Sequence, residues 1–261
     1  MPDSPRVVVT RRGEQAAPFC DQLRGAGLTP ILFPTIQLEA LPARELDAAL
    51  RDLERYAWLI FSSSNAVDYF FRRVKALGQA VRLPKTAVVG PATARRLEQE
   101  KIQPDFMPDS FTGEALAAGL GDLRGQEVLL PRARLGRPEI VAALQSQRAV
   151  VTEIALYDTV TAVPAQSALE NLAQGYEAIT FASPSSVRGF LEICGAYRDP
   201  SSVVACIGPV TAKAAWDAGL VDTIVPEEYS AEGLVDCLTQ YFKHQVPGTS
   251  TVPGTSGELR L

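Results

Sequence analysis

The chain has 261 residues, 25 Lys and Arg against 30 Asp and Glu, a formal net charge of −5, one His and four Cys. At about 150 residues per domain this length fits one large domain or two modest ones, and 46% apolar with 21% charged residues is globular rather than disordered composition. The acidic balance argues against a nucleic-acid binder, and the single His244 excludes a His-based triad in the body of the chain and any His-rich metal site.

In chain order, Met1-Pro2-Asp3-Ser4-Pro5 runs directly into Val7-Val8-Val9. No basic region precedes a long apolar stretch, so no secretory signal is expected. No apolar run approaches the ~20 residues of a membrane span, and the expected location is cytoplasmic. Short β-branched runs predict strands at 6–10, 30–38, 57–62, 86–90 and about 104–107. Helices are expected to begin near Glu14, Ala43, Asn65, Ala92 and Thr112. The helix at 14–25 has apolar residues at Ala16, Phe19, Cys20 and Leu23 and stops at Gly25 and Gly27. From residue 127 the scheme repeats, with strands at 127–131, 149–159, 178–182, 203–207 and 222–225. Alternating β and α elements with short loops imply parallel sheets with helices on both faces. Two extended runs, 30–41 and 149–161, exceed the usual strand length of about five or six residues. From Val246 the chain is rich in Pro, Gly, Ser and Thr, and 247–261 is read as a disordered tail. Cys20, Cys194, Cys206 and Cys237 show neither C-x-x-C nor zinc spacing and read as buried small hydrophobes in a reduced compartment.

The chain also repeats itself. Phe61-Ser62-Ser63-Ser64-Asn65-Ala66-Val67 recurs as Phe181-Ala182-Ser183-Pro184-Ser185-Ser186-Val187, at an offset of 120. Val89-Gly90-Pro91-Ala92-Thr93-Ala94 recurs as Ile207-Gly208-Pro209-Val210-Thr211-Ala212, at 118. Pro108, Thr112, Glu114 and Leu116 answer to Pro226, Ser230, Glu232 and Leu234, again at 118, and Val7-Val8-Val9-Thr10-Arg11 to Val128-Leu129-Leu130-Pro131-Arg132, at 121. Four blocks in one order imply a tandem duplication, 6–123 and 127–243. The long runs stand at equivalent positions, so each copy is its own domain or the copies exchange their first β-α-β units. The repeat alone leaves both open.

Open parallel sheets bind ligands beyond the carboxyl ends of their strands. Arg11 with Arg12, and Arg132 with Arg134 and Arg137, follow the first strand of each copy. Ser62, Ser63 and Ser64, and Ser183, Ser185 and Ser186, follow the third; Thr93 and Thr211 follow the fourth. Each hydroxyl cluster opens a helix, whose free N–H groups and positive dipole end favour anions. A hydroxyl there is most simply a helix cap, and an arginine is most simply a solvated surface group. Their recurrence on one edge in both copies points to a ligand with several carboxylates or phosphates. There is no P-loop, no dinucleotide fingerprint in the right strand–helix order, no acidic cluster after strand one and no G-x-S-x-G. Tyr157 lies on the second long run. A phenol stays protonated at neutral pH and can donate a proton or a hydrogen bond.

Together the Gly-Pro-x-Thr-Ala pair (90–94 and 208–212), Phe181-Ala182-Ser183-Pro184-Ser185-Ser186, Ala155-Leu156-Tyr157-Asp158-Thr159-Val160 and Glu228-Tyr229-Ser230-Ala231-Glu232-Gly233-Leu234 resemble the uroporphyrinogen-III synthase family over about 1–243. The resemblance implies two doubly wound parallel-sheet α/β domains, flavodoxin-like, with exchanged β-α-β units and a two-stranded β ladder joining them. It maps one domain to 1–36 plus 162–246 and the other to 37–161. It further implies a monomeric lyase without cofactor or metal that cyclises hydroxymethylbilane, a linear tetrapyrrole with eight carboxylates. No nucleic-acid or membrane partner is expected, and the substrate is expected by transient hand-over from the preceding enzyme. Tyr157 matches a family tyrosine placed to assist departure of the substrate hydroxyl. Thr211 and Ser183 match a family threonine and serine, and Ser63-Ser64 stands where the family has Ser-Pro. Arg11, Arg132, Ser62, Ser63, Ser64, Thr93, Ser183, Ser185, Ser186 and Thr211 are then the expected carboxylate contacts. The other reading is a non-catalytic two-domain protein that binds a polyanion.

Overall fold

The computed structural model describes residues 4–78, 81–136, 138–195 and 201–244; the expected tail and Arg137 lie outside them. The chain divides into two compact units, Met1–Gln37 with Thr161–Leu261, and Leu38–Val160.

The sheet of the first unit contains β1 (Arg6–Val9), β2 (Thr29–Leu32), β8 (Ala178–Phe181), β9 (Val203–Cys206) and β10 (Thr223–Ile224), in the order β10-β9-β8-β1-β2. All its neighbours pair in parallel. Taken in chain order this is the doubly wound order 2-1-3-4-5. Helices α1 (Gly13–Gly25) and α10 (Ala231–His244) cover one face around Phe19, Leu23, Leu234 and Leu238. Helices α7 (Gln166–Ala173), α8 (Pro184–Cys194) and α9 (Pro209–Asp217) cover the other around Phe33, Phe181 and Phe190. Double cover explains why β8 and β9 are buried at every residue rather than at alternate ones.

The second sheet contains β3 (Ile36–Ala40), β4 (Trp58–Phe61), β5 (Lys85–Val88), β6 (Glu127–Ala133) and β7 (Val150–Thr161), in the order β3-β7-β6-β4-β5. Strands β4 to β7 pair in parallel. Helices α2 (Arg44–Arg51), α3 (Ser64–Leu77) and α4 (Pro91–Gln99) pack on one face around Phe61, Phe70 and Leu97. Helices α5 (Gly113–Gly119) and α6 (Glu139–Ser146) pack on the other around Ile60, Leu116 and Leu144.

The sheet orders decide the question the repeat left open. Strand β1 of the first copy, with β2 on its other side, lies beside β8 of the second, and β6 of the second, with β7 on its other side, lies beside β4 of the first. The copies have exchanged their opening β-α-β units.

Three expected strands differ. The run 30–41 is two strands, β2 and β3, separated at Phe33-Pro34-Thr35. Phe33 N–H still reaches Val9 O at 2.9 Å, but Pro34 has no N–H to continue the β1 ladder. Beyond it β3 lies against β7. Ala162 N–H donates to Thr35 O and Leu41 N–H to Leu156 O, each at 3.0 Å; one number rises as the other falls, the antiparallel sense. Both divisions of the chain fall inside these two strands. The run at 104–107 is reduced to one bridge, Phe106 against Ala87, because Pro104 and Pro108 flank it. The last strand holds only two residues, Thr223 and Ile224, with Pro226 soon after.

Candidate functional site

In the second unit the expected residues gather where β4, β5, β6 and β7 deliver the chain to the carboxyl edge. Ser63 is the N-cap of α3, its Oγ accepting from Ala66 N–H at 3.2 Å. The Tyr157 hydroxyl lies 3.1 Å from the same Oγ. Tyr157 is 4% exposed, and its ring stacks on Tyr69 with centroids 4.9 Å apart and planes at 22°. Tyr69 donates to Leu38 O at 3.2 Å, and the Arg72 guanidinium lies 4.8 Å over its ring.

A β-bulge aims Tyr157. Arg132 of β6 opposes Ala155, but Ala133 opposes Tyr157, so Leu156 is the extra residue. In a regular strand Leu156 and Tyr157 would point to opposite faces. With the bulge both are buried in the cluster that contains α3. No signal in the sequence announces this change of register.

Arg132 is 6% exposed, with Nη1 3.0 Å from Glu153 Oε2. A Cβ at Gly136 would fall 1.9 Å from its Nη2, so the guanidinium rests against that glycine. Arg132 and Ser62 share a pocket of about 500 Å³ with Phe111, Thr112, Glu114 and Glu139. Arg134 instead pairs with Asp158 at 3.3 Å. Ser64 is the first residue of α3, beyond its cap. Thr93 is buried at the third position of α4, whose N-cap is Gly90, so its hydroxyl is not a cap.

The first unit repeats the plan with different details. Ser183 caps α8 and forms a capping box with Ser186. Ser186 Oγ is engaged there, donating to Ser183 O at 2.7 Å and accepting from Ser183 N–H at 3.2 Å. Ser185 Oγ accepts from Arg188 Nη2 at 3.1 Å. Thr211 is buried at the third position of α9, again behind a glycine N-cap, Gly208. Arg11 lies over the Phe19 ring at 4.8 Å, with its Nε and Nη2 buried and lacking a hydrogen-bond partner among the described residues. Burial lowers its pKa from the ordinary arginine value, and the charge of Glu232 opposes that shift. A buried guanidinium with open N–H groups is a ready anion receptor.

Two exposed rings also stand on these edges, neither with a role assigned from the sequence. Phe111 and Tyr229 are 55% and 63% exposed and lie 118 residues apart, inside the block matched through Thr112 and Ser230. Their shared offset was the available signal. Among the described residues no group of three or more His, Cys, Asp or Glu side chains is placed to hold a metal ion. No helix among them is long and apolar enough to cross a membrane.

Fold and site define a duplicated two-unit α/β protein with hydroxyl, arginine and tyrosine side chains at the carboxyl edges of its sheets. The family described as uroporphyrinogen-III synthase HemD matches residues 18–236. The uroporphyrinogen-III synthase of Synechococcus elongatus is 32% identical over 255 residues, covering 90% of this chain and 94% of that protein. That of Chlorobaculum parvum is 27% identical over 247 residues, covering 91% and 99%. The crystal structure of the uroporphyrinogen-III synthetase from Helicobacter pylori superposes with a TM-score of 0.66 at 18% identity, covering 91% of this chain and 99% of that one. A mutant uroporphyrinogen III synthase from Thermus thermophilus gives 0.62 at 20%, covering 93% and 100%. These two likenesses show the fold. The chain belongs to the uroporphyrinogen-III synthase family.

Proposed function

We infer that the protein is a cofactor-independent lyase that cyclises hydroxymethylbilane to uroporphyrinogen III, inverting the last pyrrole ring and losing water. The observation that carries this reading is the pair Tyr157 and Ser63, two hydroxyls 3.1 Å apart at the carboxyl edge of the second sheet. Family membership, the buried Arg132 and the half-buried Arg11 support it.

The chemistry asks little of any one side chain. The nitrogen lone pair of the first pyrrole expels the terminal hydroxyl, which leaves as water once protonated. Tyr157 is the acid for that step, held by Ser63 and by the stack on Tyr69. The resulting azafulvene is attacked by the substituted carbon of the last ring, giving a spiro intermediate. Fragmentation and reclosure at the other side of that ring close the macrocycle, and loss of a proton restores its aromaticity. Free in water, the same azafulvene closes without inversion, so the protein's task is to hold the chain in the inverting conformation. Arg11, Arg132, Ser62, Ser63, Ser64, Thr93, Ser183, Ser185, Ser186 and Thr211 hold the carboxylates, directly or through helix-start amides. Each charge-assisted hydrogen bond contributes ~1.5–3 kcal/mol. The reading includes a monomer in the cytoplasm that receives its substrate by transient hand-over.

The test supplies freshly made hydroxymethylbilane and separates the product isomers. The inverted isomer, formed faster than spontaneous closure, is expected. Only the non-inverted isomer at the spontaneous rate removes the assignment.

A further inference from the structure

We propose that Phe111 and Tyr229 are stacking platforms for pyrrole rings of the substrate, one in each unit. The inference rests on the proposed function and adds to it two residues that recognise rings rather than carboxylates.

Single exposed aromatics are ordinary. These two are built alike at repeated positions. Thr112 N–H donates to Ser110 O and Ser230 N–H to Glu228 O, each at 2.7 Å. Each ring therefore sits at the centre of a three-residue turn. The next residue caps a helix: Thr112 Oγ1 accepts from Ala115 N–H at 3.1 Å, and Ser230 Oγ from Gly233 N–H at 3.0 Å. The backbone is thus held on both sides of the ring. Each ring also lies on the glycine that opens a neighbouring helix. A Cβ on Gly90 would stand 3.6 Å from Phe111 Cγ, and one on Gly208 3.5 Å from Tyr229 Cγ. The backing is van der Waals contact, and more than half of each residue still faces solvent. A fixed ring with an open surface needs little ordering when a second ring stacks on it.

The surroundings specify the ligand. Phe111 shares its pocket of about 500 Å³ with the buried Arg132 and with Ser62, alongside Glu114 and Glu139. A cation and hydroxyl beside an aromatic ring suit a flat ring that carries a carboxylate arm. Tyr229 lines a more open pocket of about 800 Å³ with Trp216, Glu227 and the ion pair of Lys213 with Asp217 at 2.7 Å. A pyrrole bearing acetate and propionate arms has both features, and the substrate repeats it four times.

A residue just before a helix cap can also serve as an apolar staple for that helix. Staples need bulk but no π face, so leucine separates the two roles. Wild-type protein, Phe111→Leu and Tyr229→Leu are compared for isomer formation, kcat, KM and thermal midpoint. Binding is measured by calorimetry with two probes: a monopyrrole carrying acetate and propionate arms, and butane-1,2,3,4-tetracarboxylate, which has no ring. The platforms predict about tenfold weaker monopyrrole binding and about tenfold higher KM in each variant. The kcat, the tetracarboxylate affinity and the thermal midpoint stay within twofold or a degree or two of wild type. Equal weakening of both probes, or no weakening, overturns the proposal. If wild-type protein forms no inverted isomer, the enzymatic reading falls. Selective loss of monopyrrole binding in the variants then still upholds the platforms.

Discussion

The hydroxyls of Tyr157 and Ser63 lie 3.1 Å apart, joining a β7 residue to the cap of α3 across 94 positions of chain. Ser63 Oγ also accepts from Ala66 N–H, so one oxygen ends a helix and positions a phenol. The equivalent position in the first unit is built differently. Tyr157 corresponds to Ile36 and Tyr69 to Gly189 at the repeat offsets. A Cβ at Gly189 would fall 2.2 Å from Thr35 O. Backbone passes where the second unit stacks two tyrosines, so only one copy carries the phenol.

Tyr157→Phe keeps the ring, its burial and the stack on Tyr69, and removes only the hydroxyl. Loss of one hydrogen bond costs about 1 kcal/mol, a shift of a few degrees in thermal midpoint at most. Loss of a general acid is expected to lower kcat by about 10²-fold with KM nearly unchanged. Single-turnover formation of the inverted isomer measures this. Unchanged turnover takes Tyr157 out of the chemistry.

Ser63→Ala removes both the α3 cap and the partner of Tyr157. The expected destabilisation is about 1 kcal/mol, whereas Ser63→Gly costs only a few tenths on the capping account. Both variants lose the hydroxyl that orients Tyr157. They are therefore expected to lower kcat alike while differing in stability. Urea midpoints at constant slope give the stability difference. A kcat that tracks stability across the two variants would show that Ser63 acts only as a cap.

Gly136→Ala places a Cβ where the Arg132 guanidinium lies. The guanidinium ends a flexible side chain, so the chain can absorb the clash by moving it away from Glu153. Stability is expected to change by less than about 1.5 kcal/mol. Substrate KM should rise severalfold, because a buried charge has left its place. An unaltered KM would separate Arg132 from carboxylate binding.

Burial pushes the thiols of Cys194 and Cys206 from 9.0 up to about 12. In the unfolded chain they ionise near the ordinary value. Above about pH 9 the folded state therefore binds more protons than the unfolded state, and stability falls as pH rises toward 12. At pH 10 the loss is about 1.4 kcal/mol per thiol relative to pH 8. Urea unfolding at the two pH values should show that loss, and Cys194→Ala with Cys206→Ala should flatten it. In the native protein a thiol reagent at pH 8 should reach the half-buried Cys237 first. Prior reaction at Cys206 would contradict this burial.

Much of the candidate site was legible because it is local. A serine just past an apolar strand and just before a helical pattern must lie at a helix start, and Ser63 and Ser183 do. Thr93 and Thr211 lie at the starts of α4 and α9, as the spacing implies, but not at the cap position. The glycine before each proline takes the cap, leaving the threonine buried one turn in. No role for Phe111 or Tyr229 was legible, because an aromatic residue in a polar loop reveals nothing of its exposure until the glycine beneath it is located.

The amino-acid sequence by itself determined the duplication, the alternation of strand and helix, and the residues at the carboxyl end of each strand. Those are set by spacing along the chain. It also showed that 30–41 and 149–161 were unusual. Only the tertiary structure decided that β1 and β2 join β8 while β6 and β7 join β4. It also broke the first long run at Pro34 and turned Tyr157 onto the α3 face through the bulge at Leu156. The reason is one of range. Strand partners are chosen by hydrogen bonds and buried faces contributed by residues 70 to 171 positions apart, and a near-repeat offers each opening unit two sheets of the same shape.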